Sequence, residues 1–121
     1  MLLEITKLHK MLGSISNNYT ITHIDVYGGD LATLSKEYLT SLIDCVNEFC
    51  DSITVISDPS KSIVELKNKF NFNIATSINA ERPYSADTEH SDMLIYTVLP
   101  SMLSIDAKYF LSYQKKDIRF N

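Results

Sequence analysis

The run Tyr27-Gly28-Gly29-Asp30 is the first place where residue types and spacing could do chemistry. Paired glycines let a backbone come close to a ligand, and the neighbouring carboxylate could accept an amine or hold a nucleoside-like molecule. The plainer reading is a sharp strand-to-helix turn in which Asp30 caps the following helix. Neither the Walker spacing nor GxGxxG is present, and one glycine pair is a poor substitute for a methyltransferase loop.

His23, Asp25 and Tyr27 alternate, so they share one face of any strand through this stretch. A catalytic pair is conceivable there, although polar residues on the solvent side of a strand explain the pattern as well. No Ser-His-Asp order can be singled out before the chain is folded. His9, His23 and His90 lie far apart, and none has a His or Cys at ligand spacing, so no metal is expected. Asp87, Glu89, His90 and Asp92 form an acidic stretch that could attract a cation or a basic partner but reads more simply as a solvated loop. Just before it, Glu81-Arg82-Pro83-Tyr84 combines Arg and Tyr, both frequent interface anchors, and is the candidate partner-binding segment. Its alternative is a rigid loop whose Arg82 pairs with a nearby carboxylate.

The elements that must position these residues follow from periodicity. Ile5, Leu8, Leu12 and Ile15 recur at helical spacing and predict a helix over 4–14. Residues 21–27 are rich in β-branched and aromatic side chains and stop at the glycines, predicting a strand. Leu31, Leu34, Tyr38, Leu42, Val46 and Phe49 form one apolar helical face that persists for four turns. A strand is predicted at 53–57, then a helix capped by Ser60 or Ser62, with Glu65 completing a capping box from Ser62. Strands at 72–78 and 93–99 follow, separated by a polar loop, and an amphipathic helix is predicted over 106–118. Strands alternating with helices imply an α/β fold with a four-stranded, mainly parallel sheet flanked by helices. In such sheets ligands sit beyond the carboxyl ends of the strands, which directs attention to Gly28, Gly29, Asp30, Ser57, Ser77, Asn79 and the pair Pro100-Ser101.

At 121 residues the chain fits one domain and can bury a core without staples. A net charge of −4 with 11 scattered basic residues leaves nucleic-acid binding unexpected. Lys7, His9 and Lys10 interrupt the apolar residues near the start, which argues against a signal peptide, and no apolar run is long enough to span a bilayer. Cys45 and Cys50 stand five apart in one predicted helix, roughly 140° around its axis, so they cannot readily bridge or share a metal. A reducing, cytoplasmic setting is the expectation.

The run Ile24-Asp25-Val26-Tyr27-Gly28-Gly29-Asp30 resembles the GGE strand end of radical S-adenosylmethionine (SAM) enzymes. The order of later elements is similar, and the style is closest to small radical-SAM-like proteins of bacteriophages. The resemblance implies a partial (βα) barrel in which Gly28, Gly29 and Asp30 face the methionine portion of the cofactor. It also implies Ser77 and Asn79 near its ribose and carboxylate. The departures are larger. Three cysteines in a CxxxCxxC loop must hold the iron–sulfur cluster, and this sequence has two cysteines in all and no such loop. Asp30 also replaces the family's Glu.

The expectation is therefore a degenerate, non-catalytic scaffold without cofactor that binds a protein partner, a second copy included. A phage-encoded inhibitor of a host enzyme or defence complex is one such case. The alternatives are a SAM- or nucleoside-type binder, or one subunit of an enzyme whose cluster loop comes from another chain.

Overall fold

The computed structural model describes residues 3–28, 31–78, 91–96 and 117–120. Within them the order is α1 (Ile5–Ser16), β1 (Ile24–Val26), one 3-10 turn (Leu31–Thr33), α2 (Lys36–Phe49), β2 (Ile53–Ile56), α3 (Lys61–Phe70), β3 (Asn73–Ile78), β4 (Met93–Tyr96) and β5 (Asp117–Phe120). The fold is α/β, as the alternation of patterns predicts.

All pairings are parallel and the strand order is β1-β2-β3-β4-β5. One expectation needs correction. The sheet has five strands instead of four, because Asp117–Phe120 pairs with β4 where the end of a helix over 106–118 was predicted. Ile118 fits the helical period poorly, and with Phe120 it fits a period of two; pairing to β4 settles the choice, while 106–116 lie outside the described residues. Among the described residues the sheet is open, with β1 and β5 at its two edges, and no barrel closes.

Helices α2 and α3 start on side-chain caps. Ser35, not Asp30, caps α2: its hydroxyl accepts the Tyr38 N–H at 3.1 Å, satisfying an otherwise orphaned donor. Ser60 caps α3 in the same way through the Ile63 N–H at 3.3 Å, so no capping box forms from Ser62. Glu65 is instead turned to Lys36 on α2, at 2.6 Å. That hydrogen bond, helped by the opposite charge, holds the Glu65 carboxyl below its ordinary 4.5 and the Lys36 ammonium above its ordinary 10.5. Helix α3 ends on Asn71 in the left-handed region (φ 56°, ψ 51°), a conformation that Asn tolerates better than most residues.

The core lies between one sheet face and the three helices. Leu12 of α1, Leu39 and Ile43 of α2, and Ile63 and Leu66 of α3 meet Ile53, Val55 and Ile74 of the sheet. Successive strands wound in one direction by right-handed crossovers place their helices on one face, which matches this single cluster. Alternation then sends Asp25, Thr54, Ile56 and Ala75 to the opposite face, where no described helix packs. No described helix is long and apolar enough to cross a membrane.

Candidate functional site

The carboxyl ends of β1, β2 and β3 bring Gly28, Ser57 and Ser77 to one edge of the sheet, as the alternating pattern predicts. Val26 is in register with Val55 and Ile56 with Ala75, so Gly28 is level with Ser57, and Ser77 lies one residue past the partner of Ser57. Gly28 has φ +130°, a conformation side-chain-bearing residues rarely adopt, and this explains a glycine at the end of β1. Ser57 is already engaged: its N–H donates to the Ala75 carbonyl at 3.0 Å, its hydroxyl donates to the Asp58 carbonyl at 3.0 Å, and its own carbonyl accepts the Thr76 hydroxyl at 3.0 Å. Thr76 is fully buried and also shares a hydrogen bond with the hydroxyl of buried Ser91. Ser77 is exposed. The other residues singled out, Gly29, Asp30, Asn79, Glu81, Arg82, Pro83 and Tyr84, lie outside the described residues, as do Asp87, Glu89, His90, Pro100 and Ser101.

At the amino ends of β1 and β2 the fold assembles a different group. His23 stands between Ser52 and Asp25, with Nδ1 2.7 Å from the Ser52 hydroxyl and Nε2 2.8 Å from the Asp25 carboxylate. A carboxylate can only accept, so the proton sits on Nε2 in the neutral ring, and Nδ1 offers its lone pair to the Ser52 hydroxyl. His23 and Asp25 are each 44% exposed, so the group is reachable from solvent. Beside it the face on which no described helix packs carries a cavity of about 230 Å³, bordered by His23, Asp25, Thr54 and Asn73 on its polar side and by Ile56, Met93 and Ile95 among its apolar residues. Chemically, the group is a hydroxyl held by a base that is itself oriented by a carboxylate.

No known protein family, no curated protein and no solved structure matches this chain.

The third feature is a groove of about 440 Å³ along the side of β1 on which no described strand pairs. Leu3 just before α1, Leu8 of α1, Ile24 and Val26 of β1, Leu34 just before α2 and Leu42 of α2 supply most of its apolar wall. The Tyr38 hydroxyl donates to the Leu3 carbonyl at 2.7 Å and ties the start of the described chain over this groove. Tyr27 lines the groove and is 73% exposed.

Cys45 and Cys50 are buried free thiols, and desolvation pushes the Cys45 thiol up, away from the reactive thiolate. Among the described residues no three metal-capable side chains cluster. The sharing of one face by His23 and Asp25 was visible in the sequence as a spacing of two. Ser52 was not: nothing in its neighbours marks it, and it meets His23 only because Ile24 pairs with Ile53.

Proposed function

We propose that the protein is a binding module that receives an extended segment of a partner protein along the free edge of β1. The observation that carries this reading is the outer side of β1 beside an apolar groove. The Ile24 N–H bonds to the Ser52 carbonyl on the β2 side at 3.0 Å. By alternation the N–H and C=O of Asp25 point the other way, where no described strand pairs with them. An unpaired edge is a template for an added strand, with main-chain bonds giving affinity and pockets for alternate side chains giving selectivity. The groove fits a segment with apolar residues at every second position, and Tyr27 is placed as an amphipathic anchor at its mouth. An inhibitor that inserts itself against a strand of a host enzyme is the form suggested by the likeness to phage radical-SAM-like proteins.

Panning a random-peptide library on the folded protein tests this. Enriched peptides should alternate apolar and polar residues, protect the Asp25 amide from hydrogen exchange, and bind at least tenfold more weakly to Tyr27→Ala. Peptides without that period, or binding that leaves the Asp25 amide unprotected, would refute it. The convergence of Gly28, Ser57 and Ser77 favours a second reading, a SAM- or nucleoside-type ligand at the carboxyl edge. Calorimetry that detects no heat with millimolar SAM or adenine nucleotides removes that reading and leaves the first standing.

A further inference from the structure

We propose that Ser52, His23 and Asp25 form a nucleophilic relay that hydrolyses small esters bearing a short apolar acyl group. This goes beyond partner binding and uses a different part of the fold, the amino end of the sheet instead of the edge groove.

The geometry meets the two requirements of an activated hydroxyl. The nucleophile and its base lie within hydrogen-bond reach at 2.7 Å, and the base is oriented by a third group at 2.8 Å. Because Asp25 accepts from Nε2–H, the ring presents an acceptor, not a donor, to the Ser52 hydroxyl. The arrangement is held by backbone, since His23 and Ser52 flank the first paired residues of β1 and β2 and the Ile24 N–H bonds to the Ser52 carbonyl. Next to it, the cavity on the face opposite the described helices offers apolar Ile56, Met93 and Ile95 to an acyl chain. Asn73, in register with Thr54 on the far side of β2, borders the same cavity and carries the amide that could donate to an oxyanion.

The chemistry balances with water as the only co-reactant. The Ser52 oxygen bonds to the acyl carbon as its proton passes to His23 Nδ1. The bond from the acyl carbon to the leaving oxygen breaks, and His23 returns the proton to that oxygen. Water then repeats the sequence, its proton taken by His23, its oxygen bonding to the acyl carbon and Ser52 leaving with the returned proton. Ser52, His23 and Asn73 touch the reacting atoms, whereas Asp25 positions His23.

The experiment uses the full chain with p-nitrophenyl acetate and butyrate, following nitrophenolate release and locating the acyl group by peptide mass spectrometry. The expected result is an acyl group on Ser52, formed faster than on any other serine or lysine. Ser52→Ala should abolish that adduct, and His23→Gln should slow release about 100-fold or more, in line with loss of a general base. Asp25→Asn should slow it severely while Asp25→Glu restores part of the rate, a distinction that a merely structural carboxylate would not produce. Because these side chains are partly exposed, the variants should melt near the parent temperature, which is measured alongside. Release with the acyl group elsewhere, no Ser52 adduct, or a Ser52 adduct that persists unslowed in His23→Gln would overturn the proposal.

Discussion

The two faces of the sheet are made by the same short strands, yet they are different materials. On the helix-covered face Ile53, Val55 and Ile74 are between 0% and 4% exposed and meet side chains from all three described helices. On the other face the alternate residues are Asp25, Thr54, Asn73, buried Ala75 and Ser77, with Ile56, Met93 and Ile95 lining a cavity. A parallel sheet covered on both faces would show near-continuous apolar runs. β1 and β3 do not. The lesson is that strand alternation, here, separates stability from chemistry: one side holds the domain together and the other is free to carry polar groups such as the His23 relay.

Substitutions on β3 break this comparison most directly. Ile74→Ala removes a fully buried side chain between sheet and helices and should cost about 2–5 kcal/mol. Ser77→Ala, on the opposite face and exposed, should stay within about 0.5 kcal/mol. Chemical denaturation of both variants checks the contrast, and equal losses would mean that the second face is also part of the core. A smaller effect is expected at Thr76, which points to the covered face but bonds to the Ser57 carbonyl. Thr76→Val keeps the volume and deletes its bonds to the Ser57 carbonyl and the Ser91 hydroxyl, so it should cost about 1–3 kcal/mol by urea denaturation. It should also speed amide exchange at Ser57 if the bond to its carbonyl steadies the carboxyl edge.

The smallest effect concerns the outside of the helix layer, where Lys36 and Glu65 join α2 to α3. The folded Glu65 carboxyl lies below its ordinary 4.5, so its contribution is present above that value and fades as pH falls through the lowered one. For Lys36, raised above 10.5, the contribution is present below that value and is lost as pH climbs through the raised one. Both side chains are exposed, so the gain is slight. Melting curves of Glu65→Gln and the parent should differ a little near neutrality and converge in strong acid. A gap that persists there would mean that Glu65 acts through packing.

Much of this architecture was legible along the chain. The helices at α1, α2 and α3 and the strands β1 to β4 declare themselves through apolar spacing, and the strand ends that gather Gly28, Ser57 and Ser77 follow from alternation of helix and strand. Other features were not. Asp30 is the cap in a local reading, but a 3-10 turn at Leu31–Thr33 comes before α2 and Ser35 caps it. Ser62 with Glu65 imitates a capping box, but Glu65 finds a stronger partner in Lys36. Ile118 fits the helical pattern poorly, yet four residues are too few to declare a strand by themselves, and only pairing with β4 makes 117–120 one.

Local spacing determined the α/β class, the apolar stripes and the shared face of His23 and Asp25, because periodicity needs only neighbours in sequence. Tertiary structure decided the open five-stranded sheet, the groove beside β1, and the meeting of Ser52 with His23 across 29 residues of chain. Those depend on strand register, which backbone pairing between distant segments sets and no run of adjacent residues encodes.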